Sequence, residues 1–80
     1  MSTNWAGPDL VTLRHSKGLS LDQIASVTKI GVRYLEAIEA GEFGKLPGGV
    51  YNTSYIRQYA RLVDCDEAEL LEQYRGSVGQ

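Results

Sequence analysis

Apolar residues recur along this chain at intervals of three and four, and glycines and capping residues break the pattern into short blocks. Leu10 and Leu13, with Arg14, share one face of a first helix that begins near Pro8 and runs to about Lys17. Proline suits the first helical position, where an N–H has no partner in any case. Gly18 supplies the stop. Ser20 and Gln23 form a capping box that opens a second helix, with Leu21, Ile24, Ala25 and Val27 as its inner positions. Ala25 is small enough for the next helix to cross closely, and Ile30 plugs the turn. A third helix starts at Gly31 or Val32, buries Leu35 and Ile38, sets Tyr34 at its edge and ends at Gly41.

Glu42 to Gly49 reads as an irregular loop around Lys45-Leu46-Pro47-Gly48-Gly49. A fourth helix begins between Gly49 and Thr53 and runs to Val63. Asp66 and Glu69 form a second capping box, and a fifth helix covers Glu67 to Arg75, burying Leu70, Leu71 and Tyr74. Its acidic first turn suits the positive end of the helix dipole. The expectation is an all-α, five-helix domain over residues 8–75, with a flexible N-terminus at 1–7 and a linker stub at 76–80. Within it, Leu19 to Gly41 writes two short helices joined by a tight turn. That helix-turn-helix arrangement is able to push its second helix into a DNA major groove.

Composition narrows the function. Eighty residues make one small domain, and 42% hydrophobic content supports a modest core. The net charge is −2, whereas DNA-binding domains draw affinity from excess Lys and Arg. The average hides an asymmetry: residues 1–63 hold seven bases and five acids, and five acids face Arg75 alone from Asp64 onward. The single cysteine, Cys65, has no internal disulfide partner, which fits a reducing, cytoplasmic setting. No signal peptide and no membrane-spanning run is legible. One His, His15, and one Cys support neither a zinc site nor a Cys–His pair, and no glycine pattern follows a strand to cradle phosphate. The expectation is a non-enzymatic domain with no cofactor and no metal.

Two surfaces compete for the function. The start of the third helix offers Gly31, Val32, Arg33, Glu36 and Ala37 as exposed positions. Arg33 can meet a guanine or a phosphate, Lys29 lies in the preceding turn, and Val32 and Ala37 can touch a thymine methyl. Glu36 carries the wrong charge for a phosphate. On the fourth helix, Tyr51, Tyr55, Gln58 and Leu62 fall on one stripe, and Ile56, Tyr59, Ala60 and Val63 on another. Only the second is read as core. Tyr51 and Tyr55 either pack the Pro47 loop against the body or stand exposed beside Arg57 and Arg61, the chemistry that protein interfaces enrich.

The residues Leu10, Arg14, Gly18-Leu19-Ser20, Ile24-Ala25, Ile30, Tyr34-Leu35, Ile38-Glu39 and Gly41 resemble the five-helix domain of Cro/C1-type (XRE) repressors. That resemblance implies a buried ion pair between Arg14 and Glu39. It also sets Leu21 where such repressors often carry a DNA-contacting Gln. The run Arg33-Tyr34-Leu35-Glu36-Ala37-Ile38-Glu39-Ala40-Gly41-Glu42-Phe43, then Leu46-Pro47-Gly48-Gly49-Val50-Tyr51, then Tyr55-Ile56-Arg57-Gln58-Tyr59-Ala60-Arg61-Leu62-Val63, then Asp66-Glu67-Ala68-Glu69-Leu70-Leu71, resembles the RodZ family. These are bacterial cell-shape proteins with a cytoplasmic helix-turn-helix domain, a membrane span and a periplasmic part. The resemblance implies that this domain binds the actin-like filament protein MreB. Tyr51 and Tyr55 match the family's filament-contacting aromatics, with Arg57 and Lys45 placed to steer an acidic partner. The rival expectation is a transcription regulator that reads DNA through Arg33, Lys29 and Val32.

Overall fold

The computed structural model describes residues 9–78. Among them are five α-helices and no strand: α1 (Leu10–Ser16), α2 (Leu21–Thr28), α3 (Val32–Ala40), α4 (Val50–Val63) and α5 (Glu67–Val78), with a 3-10 turn at Phe43–Lys45 between α3 and α4. α4 is the centre of the packing: α1 and α2 lie against it on one side and α5 on another, while α3 packs on α2 and on the 3-10 turn.

The boundaries follow from local chemistry. Asp9 caps α1, accepting from the Thr12 N–H at 3.1 Å and from its hydroxyl at 2.8 Å. These bonds, the backbone one first, hold the Asp9 carboxyl below its usual pKa. α1 therefore starts at Leu10, and the expected placement of Pro8 in its first turn lies outside the described residues, as does the N-terminus 1–7. The Ser20 box is complete: Gln23 N–H donates to Ser20 Oγ at 3.0 Å, and Ser20 N–H to Gln23 Oε1 at 2.7 Å. α2 stops on Lys29, a non-glycine residue at φ 64°, with the turn tied by Thr28. The Thr28 hydroxyl donates to the Ile24 carbonyl and accepts from the Ile30 N–H. Gly41, at φ 73°, ends α3. At the start of α5 Asp66 accepts the Ala68 N–H at 2.9 Å rather than that of Glu69, so Asp66 caps the helix but the expected box with Glu69 does not form.

The core gathers Leu10, Ile24, Ile30, Leu35, Ile38, Phe43, Ile56, Tyr59, Val63 and Leu70, all below 2% exposed. Three expectations are corrected. Val27 is not an inner residue but 70% exposed. At 100° per residue it lies past the edge of the arc that Leu21, Ile24 and Thr28 turn inward. Ala37, read as exposed, is buried at 3%. α3 is covered by α2 and by the 3-10 turn, so its buried arc is wider than one apolar stripe. Finally, α5 runs past Arg75 through Gly76 to Val78, so residues 76–78, expected as linker, are helical.

Candidate docking surface on the fourth helix

α4 projects side chains into two different environments. Its inner face ends in a polar network. Glu39, from the last turn of α3, accepts from Arg14 Nε at 2.5 Å and Nη2 at 3.5 Å, and from the Tyr59 hydroxyl. Arg14 also donates to the Leu19 carbonyl at 3.2 Å, which ties α1 to the entry of α2. The side chains of Arg14 and Glu39 are only 12% and 8% exposed. The Glu39 carboxylate raises the pKa of Arg14, and burial, with Glu39 beside it, raises that of Tyr59. All three residues hold the helices together rather than face a ligand.

A second inner residue went unremarked in the sequence. Asn52 is 7% exposed. Its Oδ1 accepts the Gly48 N–H at 2.8 Å, and its Nδ2 donates to the Tyr74 hydroxyl at 3.2 Å. Tyr74 in turn meets Phe43 edge-on, with ring centroids 5.5 Å apart. The signal was available: Asn52 stands in helical phase with Ile56, Tyr59 and Val63, so a polar group there must find a buried partner. Because Asn52 secures the Pro47 loop, Tyr51 and Tyr55 are not needed for that task.

The outer stripe carries those tyrosines. Tyr34 of α3, Tyr55 and Tyr51 form a row, with centroids 5.9 Å apart for the first pair and 6.0 Å for the second. Both separations lie in the favourable range for aromatic pairs. Tyr55 is half-buried, Tyr51 is 60% exposed and the adjacent Val50 is 81% exposed. The row is thus anchored at its inner end and open at its outer end. Arg57 is exposed and makes no ion pair among the described residues. Lys45 is exposed on the 3-10 turn, where Glu42 meets it at 2.9 Å. Arg61 is engaged by Glu67 at the start of α5.

The end of the helix-turn-helix on which a DNA reading would rest is thinner than the sequence implied. Arg33, Lys29 and Glu36 are exposed, Val32 and Leu21 are half-buried, and Ala37 is too deep to touch a base. His15 is exposed, whereas Cys65 is buried, so desolvation, reinforced by Glu69 and Asp66, raises its thiol pKa. A protonated buried thiol is a poor nucleophile. No cluster of three His, Cys, Asp or Glu forms among the described residues, and no helix there is long and apolar enough to cross a membrane.

The five-helix arrangement and the Leu19–Gly41 turn define a helix-turn-helix domain. Residues 9–70 match the model of the helix-turn-helix domain family, and the chain belongs to that family. Two relatives are more particular. Over 68 residues it is 38% identical to the cytoskeleton protein RodZ of Streptococcus pneumoniae (strain ATCC BAA-255 / R6), covering 85% of this chain and 25% of the relative. Over 60 residues it is 38% identical to the uncharacterized membrane protein YmfM of Bacillus subtilis (strain 168), covering 75% of this chain and 21% of the relative. The chain therefore spans a quarter or less of the length of these curated relatives. No solved structure matches it.

Proposed function

We propose that this chain is the cytoplasmic docking domain of a RodZ-like cell-shape protein, held at the inner membrane by a span elsewhere in the full-length protein. It binds an MreB-like bacterial actin filament through α4. Tyr51 and Tyr55 are the anchors, and Arg57 and Lys45 steer an acidic partner. The observation that carries this reading is the tyrosine row: Tyr34 and Tyr55 hold Tyr51 in place while leaving it 60% exposed. A preorganised, exposed aromatic loses little side-chain entropy on binding. The similarity to a cytoskeleton protein supports the same reading. The test is co-sedimentation with MreB filaments. Tyr51→Ala combined with Tyr55→Ala abolishes pelleting while the helical circular dichroism is kept. Unchanged pelleting removes these anchors.

Arg33, exposed at the first turn of α3 without an ion-pair partner among the described residues, favours a second reading as a DNA-binding domain, with Lys29 and Val32 beside it. Against it stand Glu36 on the same exposed turn and the non-polar Leu21. Titration against random duplex at low salt separates the two. Binding that falls steeply with salt and with Arg33→Ala supports DNA.

A further inference from the structure

The stripe that carries Tyr51 and Tyr55 does not end with them. Gln58 and Leu62 fall on the same side of α4, about 16 Å of helix from Tyr51 to Leu62 at 1.5 Å per residue. At the far end, the last turn of α2 comes against α4. There Val27, Thr28, Gln58, Arg61 and Leu62 line a shallow, open groove of about 200 Å³. That is below the roughly 300–1,000 Å³ of small-molecule sites and suits one apolar side chain of a protein partner.

The charge within its lining has one sign. Arg61 is the only charged residue in the lining, and no carboxylate is part of it. Arg61 is 66% exposed and Glu67 holds it from the α5 side. Arg57, one turn earlier on α4, and Lys29, next to Thr28, are exposed and have no ion-pair partner among the described residues. The chain as a whole is acidic, at −2, and its acids gather from Asp64 onward. A rim that carries unpaired cations favours an acidic occupant, because carboxylates meet opposite charge there and like charge along the acidic stretch from Asp64 onward.

We infer that this groove is a second subsite for the filament partner proposed above. It takes an apolar side chain from an acidic segment whose carboxylates meet Arg61, Arg57 and Lys29. The inference rests on that docking reading, since the groove continues the tyrosine stripe on one helix face. Tyr51 and Tyr55 anchor one end of the partner segment, and the groove between α2 and α4 fixes the other. Val27, which the core leaves uncovered, becomes the wall of this subsite.

The test is a pelleting titration of the 80-residue chain with MreB filaments, with helical circular dichroism as the folding control. Val27→Glu puts a carboxylate into the groove from an exposed position and weakens binding by about tenfold or more. Val27→Lys, which removes the same methyl groups but adds a positive charge, stays within about threefold of the parent. Glu67→Gln frees Arg61 and tightens binding. If Val27→Glu binds like the parent while Tyr51→Ala with Tyr55→Ala loses binding, the subsite is wrong and the docking reading stands. If Val27→Lys weakens binding as much as Val27→Glu, the acidic occupant is overturned. If the parent chain does not pellet, the docking reading falls and takes the subsite with it.

Discussion

Glu39→Ala is the most informative single change for stability. The carboxylate accepts from Arg14 through two nitrogens and from Tyr59, and its loss strands both partners. Arg14 keeps one bond, to the Leu19 carbonyl, at a side-chain exposure of 12%. Tyr59 has no exposed surface at all, so water cannot replace the missing acceptor. Removing one member of a buried pair typically costs about 3–5 kcal/mol, and an unsatisfied buried hydroxyl about 1–3 kcal/mol. The two overlap, so about 3–5 kcal/mol is expected in total. A domain of this size has about 4–12 kcal/mol to lose, at roughly 0.05–0.15 kcal/mol per residue. Urea titration at 222 nm then shows the midpoint falling by about 2–5 M, or no folded baseline, if m is about 1–1.5 kcal/mol/M. The companion variant Arg14→Met, Glu39→Leu, Tyr59→Phe removes the three polar side chains together and leaves only the Leu19 carbonyl without its donor. It recovers most of the loss, because a satisfied buried pair contributes little beyond an apolar replacement. A loss below about 1 kcal/mol for Glu39→Ala, or a triple variant as unstable as the single one, refutes the reasoning.

Three further outcomes are expected. Tyr59 keeps its proton in the folded state above the pH at which an unfolded tyrosine ionises, because burial raises its pKa. Its contribution is therefore complete below about pH 10 and declines as pH rises toward the folded value, by up to about 1.4 kcal/mol per pH unit; stability curves between pH 9 and 11 show this slope steeper in the parent than in Tyr59→Phe. Asn52→Ala leaves the Gly48 N–H and the Tyr74 hydroxyl without their partner, costs about 1–3 kcal/mol, and shows first as faster hydrogen exchange at Gly48. Gly49→Ala meets open space but forces a side chain into φ 63°, ψ −149°; chemical denaturation reads a loss of about 1–3 kcal/mol, and Gly44→Ala, at a position of negative φ with equal space, serves as the control.

The sequence by itself determined what neighbours along the chain decide. The Ser20–Gln23 box, the glycine stops at Gly18 and Gly41, the Asp66 cap and the apolar spacing of α2 to α5 are interactions over two to four residues. Their geometry does not depend on the rest of the fold. Resemblance added Arg14 to Glu39, a pair 25 positions apart that periodicity alone does not join. Tertiary structure decided which arc of each helix is covered. Val27 and Ala37 changed sides because α2 meets α4 along a narrow band while α3 is flanked by α2 and the 3-10 turn. It also decided that Asn52 holds the Pro47 loop, which frees Tyr51, and that α3 brings Tyr34 against Tyr55. A helical period says which side chains share a face. Only the crossing of helices says what that face meets, and here it leaves Val50 and Tyr51 on the outer face of α4 exposed among the described residues.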